Sequence, residues 1–176
     1  MARAFIGVGS NIEPAQNVRA ATHALARRLP LVGISTVYLT DALGDAAQPP
    51  YYNCVLEVNT EAPPREIKFG ILRTIEDSLG RQRTTDKFAP RTIDLDLIVY
   101  GDLTLDRDGI RLPDPDILRR AFLAIPLYEL APNLVLAGYG VRISEIAARL
   151  PQHGMRPLQD YAQQLREEVV LQGGPI

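Results

Sequence analysis

Short apolar runs and helical stripes follow one another along the chain, separated by glycine, proline and small polar residues. Ala4 to Val8 is an apolar run ended by Gly9-Ser10-Asn11, the pattern of a buried strand entering a turn. From Pro14, the residues Val18, Ala21, Leu25 and Leu29 recur at helical spacing, and Pro30 closes the segment. Val32 to Leu39 and Tyr52 to Val58 are β-branched and aromatic-rich, so they predict two strands flanking a long loop over residues 40 to 50. Pro63 and Pro64 open a second helix striped by Ile67, Ile71, Ile75 and Leu79, and Gly80 sits where a left-handed cap belongs. Residues 81 to 90 have no apolar period. They lead into a segment in which Ile93, Leu95, Leu97 and Val99 alternate with Thr92, Asp94 and Asp96, the mark of a half-buried strand. Leu103 to Leu112 predicts a hairpin about Asp106-Arg107-Asp108-Gly109, and Ile117 to Leu130 reads as helical in parts, interrupted by Pro126.

The resulting order, β-α-β-β-α-β with additions, predicts an α+β fold: a ferredoxin-like sandwich with a mainly antiparallel sheet, helices on one face and extra elements. One domain is expected over residues 1–157. From Leu158, the residues Tyr161, Leu165 and Val169 predict an amphipathic tail helix, docked on the domain or on a partner.

A hydrophobic fraction of 46% with 23% charged residues excludes disordered, collagen-like and disulfide-stapled classes. A net charge of −2 argues against a broad electrostatic footprint for nucleic acid. All of the 19 basic residues except Lys68 and Lys87 are arginine, whose planar fork suits phosphate and carboxylate oxygens. The single cysteine, Cys54, permits no intrachain disulfide and fits a buried place in a reducing compartment. No stretch approaches the ~20 apolar residues of a membrane span, so the expectation is a soluble, cytoplasmic protein.

Side chains two apart on a strand share a face, so Asp94 and Asp96 aim two carboxylates at one volume. At a separation of about 6.5 Å and an effective dielectric of about 20 they repel by roughly 2.5 kcal/mol, which divalent cations turn into attraction. Acids decorating a solvated strand face are the competing reading of this strand alone. Arg81, Arg83 and Arg91 before the pair, and Arg119 and Arg120 after it, suit a polyphosphate delivered with metal. Gly7-Val-Gly9 begins like a dinucleotide fingerprint, but Ile12 replaces the third glycine and no parallel series follows. His23 and His153 lack metal-ligand spacing, and Ser10 has no neighbouring base.

Lys87-Phe-Ala-Pro-Arg91-Thr-Ile-Asp94-Leu-Asp96-Leu-Ile98 resembles the signature of the 6-hydroxymethyl-7,8-dihydropterin pyrophosphokinase family. Phe5-Ile-Gly-Val-Gly-Ser-Asn11, Tyr51-Tyr-Asn53, Glu76 with Gly80-Arg81-Gln-Arg83, and Arg120-Ala-Phe122 extend the match over residues 4 to 150. The resemblance implies a ferredoxin-like core, transfer of pyrophosphate from ATP to the pterin hydroxymethyl group with release of AMP, and two magnesium ions held by Asp94 and Asp96. It implies Arg81 and Arg91 as catalytic beside the two acids, and an ATP site made of Glu76, Arg81, Arg83, Arg91 and Arg120. Asn53 would hydrogen-bond the pterin edge, Tyr51 and Phe122 would sandwich its ring, and Thr40 and Leu43 would close the pocket, Thr40 through its backbone. Segments 40 to 50 and 81 to 90 are the expected lids against water.

The chain departs from the family pattern at three places. Asp114, in Pro113-Asp114-Pro115-Asp116, stands where histidine is common, Phe88 where tryptophan is usual, and Thr84 where a basic residue sometimes stands. A pterin- or nucleotide-binding module without turnover is the alternative from another functional class.

Overall fold

The computed structural model describes residues 1–44 and 47–173, with side-chain environments through Val169. Among these residues, the main sheet is built from β1 (Ala2–Ser10), β2 (Leu31–Ile34), β3 (Tyr38–Thr40), β4 (Tyr51–Thr60), β5 (Asp94–Tyr100) and β10 (Met155–Pro157). All of its pairings are antiparallel, in the order β10-β3-β4-β1-β5, with β2 continuing the β3 edge along β4. The β-α-β-β-α-β order of the sequence thus folds as a ferredoxin-like sheet with β1 and β4 at its centre.

The region expected as one strand from Val32 to Leu39 is two, β2 and β3, separated at residues 35–37. There the Ser35 hydroxyl accepts from the Val55 N–H at 2.9 Å and replaces a backbone partner. On one face pack α1 (Pro14–Ala26), α2 (Arg73–Ser78) and α5 (Gln159–Gly173), through Val18, Leu25, Ile75, Ala162 and Leu165 against Ile6, Leu56 and Leu97. The extra elements α3 (Ala121–Leu130) and α4 (Ile143–Arg149) cover the other face over Phe5, Val55 and Ile98. Two hairpins, β6 (Leu105–Arg107) with β7 (Ile110–Leu112) and β8 (Val135–Leu136) with β9 (Val141–Arg142), flank the sandwich. The first turns through Asp108 and Gly109, both at positive φ, as a two-residue hairpin with native twist requires.

Three local patterns differ from the periodicities of the sequence. The helix before α2 is π-helical over Glu66–Leu72, so Ile67, Leu72 and Ile75 fill the core while Ile71 stays half-buried. A bulge where β5 pairs with β1 shifts the register between Phe5 and Ile6 and sends Val99 to the α3 face, away from Leu95 and Leu97. Pro126 lies inside α3 without ending it. It removes one N–H, but Ala124, Ile125 and Leu127 are buried around it and hold the helix by packing. The tail helix docks on α1: Arg19 donates to Glu168 at 2.9 Å, His23 lies 3.1 Å from the same carboxylate, and the Tyr161 hydroxyl donates to the Ala15 carbonyl.

Candidate active site

Two glycines open the site. Gly7 and Gly9 lie two apart on β1 and turn their missing side chains toward the α3 face, opposite Asp96 and Asp94 of β5. A Cβ on Gly7 would come within 3.0 Å of Leu123, and one on Gly9 within 3.0 Å of Asn53, so any side chain here would fill the hollow. The result is a cleft of about 460 Å³ between the sheet and the start of α3. The Gly7-Val-Gly9 pair that fails as a dinucleotide motif is its floor.

Asp94 and Asp96 both line this cleft, and both also line a recess of about 140 Å³ on the α2 side. They can serve two hollows because β5 ends the hydrogen-bonded order of the sheet. Arg91 donates to Asp94, and Arg81 lies 3.7 Å from the other oxygen of the same carboxylate. Asp96 has no such arginine. Its side chain is exposed at the meeting of the two hollows, and desolvation by the surrounding protein, followed by repulsion from Asp94 and Asp114, pushes its pKa up to about 7. Among the described residues no set of three carboxylate, histidine or cysteine ligands forms. Two carboxylates repelling across an open hollow suit a hard cation that completes its coordination with water and phosphate oxygens.

In the cleft, the Asn53 amide donates to the Thr40 hydroxyl at 2.6 Å, and both residues are buried. This bond fixes the amide edge between the ends of β3 and β4. Tyr51, Leu43, Phe122 and Arg120 complete the walls. In the recess, Glu76 is buried and fully engaged. It accepts from the Leu95 N–H at 2.8 Å and from Arg83 at 2.6 Å, tying α2 to the start of β5. Burial raises its pKa, and the Leu95 hydrogen bond works against that shift.

The segments on either side of the cleft meet at Asn11, which is 2% exposed. Its carboxamide oxygen accepts from the Arg91 N–H at 2.7 Å, and its amide nitrogen donates to the Pro49 carbonyl at 3.2 Å and to Gln48 at 3.3 Å. Gln48 in turn donates to the Phe88 carbonyl, and the Phe88 ring lies against Gly44, where a Cβ would come within 2.8 Å of it. One buried side chain therefore joins Gln48 and Pro49 to the Phe88–Arg91 stretch.

The residues named from the sequence gather around these two hollows. Asp94, Asp96, Arg91, Arg120, Thr40, Leu43, Tyr51, Asn53 and Phe122 line the cleft, and Glu76, Arg81 and Arg83 line the recess with the two acids. Arg120, grouped with Glu76 on the sequence, lies instead in the cleft at the N-terminal end of α3. Asp114 and Asp116 also face the cleft. Asp114 accepts from the Asp116 N–H at 2.8 Å as the cap of a short 3-10 turn, and burial raises its pKa. Sequence reasoning missed Lys68 and Arg73 in the recess, and it gave Asn11 no role. The available signal for Asn11 was a polar residue directly after a buried strand and a two-glycine floor.

Comparison with known proteins identifies relatives of this arrangement. The family model described as 7,8-dihydro-6-hydroxymethylpterin-pyrophosphokinase (HPPK) matches residues 5–132. A Pseudomonas aeruginosa 2-amino-4-hydroxy-6-hydroxymethyldihydropteridine pyrophosphokinase is 36% identical over 160 residues, covering 89% of this chain and 96% of the relative. The Haemophilus influenzae protein of the same name is 33% identical, covering 88% and 97%. Among solved structures, Plasmodium falciparum HPPK-DHPS with pterin and p-hydroxybenzoate superposes with a TM-score of 0.67 at 11% identity, over 84% of this chain. This chain spans 41% of that longer one, and the likeness concerns the fold.

Proposed function

The chain belongs to the 7,8-dihydro-6-hydroxymethylpterin-pyrophosphokinase family, and from that premise we propose which of its residues carry the family's reaction. The reaction is transfer of pyrophosphate from ATP to the hydroxymethyl group of 6-hydroxymethyl-7,8-dihydropterin, in folate biosynthesis. The observation that carries the assignment is that Asp94 and Asp96 are common to both hollows, so that a donor in one and an acceptor in the other meet at the same two carboxylates.

The pterin occupies the cleft. Asn53, held by Thr40, presents an amide edge that pairs with donors and acceptors of a flat heterocycle, while Tyr51 and Phe122 offer ring faces to its two sides. Leu43 closes the apolar side. The triphosphate runs from the recess across Asp94 and Asp96, where Arg81, Arg83 and Arg91 exchange carboxylate partners for phosphate oxygens and Arg120 adds its charge from the cleft. Asp94 and Asp96 would hold magnesium, which supplies charge neutralisation on the phosphates and favours loss of the alcohol proton. The hydroxymethyl oxygen bonds to the β-phosphorus as its proton passes to solvent water, the bond from that phosphorus to the α-phosphate oxygen breaks, and AMP departs with the electron pair. Arg81 and Arg91, already aimed at Asp94, hold the phosphates as charge moves toward the leaving group.

The test is release of AMP from ATP in the presence of the pterin alcohol, with the wild type beside Asp94→Ala and Asp96→Ala. Transfer in the wild type and a loss of at least about a thousandfold in either variant, with the fold retained, is expected. AMP release that proceeds unchanged in both variants contradicts the assignment. A wild type that binds the pterin and ATP but never releases AMP would make the chain a binding module.

A further inference from the structure

We propose that Lys68 and Arg73 form a subsite for the α-phosphate of the nucleotide, the group that leaves as AMP; this rests on the functional reading above and adds two residues to it. Both line the recess on the α2 side, across Asp94 and Asp96 from the cleft. In-line displacement places the attacking oxygen and the leaving oxygen on opposite sides of the reacting phosphorus. With the alcohol in the cleft, the recess is the leaving side.

The cations of the recess differ in how far they are already neutralised. Arg83 bonds both Glu76 and Asp77 at 2.6 Å, and Arg81 faces Asp94 at 3.7 Å. Among the described residues, no carboxylate lies within ion-pair distance of Lys68 or Arg73. The Lys68 ammonium donates to the Gly109 carbonyl at 2.9 Å, and the Arg73 guanidinium lies 5.0 Å from the centre of the Phe69 ring. A carbonyl and an aromatic face orient a cation without cancelling its charge.

Local backbone geometry brings the two together. Lys68 and Arg73 are five residues apart, and at about 100° per residue a regular α-helix would leave them about 140° apart around its axis. The π-helical segment Glu66–Leu72, whose hydrogen bonds span five residues, returns them to one side. The left-handed Asp108-Gly109 turn supplies the carbonyl that holds Lys68, with the edge of Phe69 beneath Gly109.

The experiment compares binding of AMP and of a nonhydrolysable ATP analogue, each with magnesium, to the wild type, Lys68→Met, Arg73→Gln and Lys68→Arg. AMP is also followed as a product inhibitor. Each neutral variant is expected to weaken AMP about tenfold and the ATP analogue by a similar factor, as for a lost charge-assisted contact. Pterin affinity should not change, and Lys68→Arg should recover most of the loss. Unchanged AMP affinity in Lys68→Met and Arg73→Gln overturns the proposal, whether or not the ATP analogue is weakened. Wild-type protein that fails to release AMP from ATP would instead overturn the functional reading.

Discussion

The two sides of β5 set the fold and the chemistry one residue apart. Ile93, Leu95 and Leu97 are buried in the core beneath α2, while Asp94 and Asp96 point the other way into the cleft. On the apolar side every neighbour agrees in character, and burial lowers the free energy of the folded chain. On the acidic side like charges crowd over a floor of glycines, an arrangement that costs stability until a ligand of opposite charge arrives. A single strand can carry both because its side chains alternate.

Changes on each side should separate stability from turnover. Beyond the Asp94 and Asp96 variants, Leu97→Ala should destabilise the protein by about 2–5 kcal/mol through lost burial and a residual cavity, seen as a lower midpoint in urea. The chains that remain folded should transfer pyrophosphate at a rate close to wild type. Asn53→Ala, on the cleft side, should raise the pterin KM by roughly tenfold or more and leave the ATP KM nearly unchanged, because it removes the fixed amide edge. Asn11→Ala should raise both KM values together, since it loosens both segments at once. Hydrogen exchange should then show reduced protection at residues 47–50 and 87–91.

The smallest expected effect concerns pH. In metal-free protein the Asp96 pKa is raised above its ordinary value of 3.8, so the folded chain should release this proton at higher pH than the unfolded chain. The folded state therefore binds the extra proton between the two, and stability should fall as pH rises from about 4 to 7. Glu76 and Asp114, also raised by burial, act in the same direction. Asp96→Asn should flatten this slope and raise the thermal midpoint at neutral pH by a few degrees while abolishing transfer. A variant no more stable than wild type would show that the crowding at the cleft floor is not a cost.

The sequence makes the regular side of this contrast more legible than the irregular one. The β1, β4 and β5 runs, the α1 stripe and the two-residue hairpin at Asp108-Gly109 are local patterns that tertiary packing reinforces. Perfect four-residue spacing at Ile67, Ile71 and Ile75 conceals the π-helical turn that substitutes Leu72 for Ile71 and turns Lys68 and Arg73 to one side. The bulge that moves Val99 across the sheet likewise leaves the Leu97-Ile98-Val99 run unmarked. α4 carries Ile143, Ile146 and Ala147 at helical spacing, but Arg142 before it offers no side-chain cap, and the β8–β9 hairpin has strands of two residues each. Asp94, Asp96 and their arginines stand out because they cluster in sequence. Asn11 joins its partners over 37 to 80 positions, a distance at which no periodicity speaks.

The most direct test of the two-sided account is a crystal structure with magnesium, a nonhydrolysable ATP analogue and the pterin alcohol. It should show cation density about 2.1 Å from oxygens of both Asp94 and Asp96, with the nucleotide entering from the α2 side and the pterin from the α3 side. Both substrates on one side of β5, or no cation at either carboxylate, would contradict it.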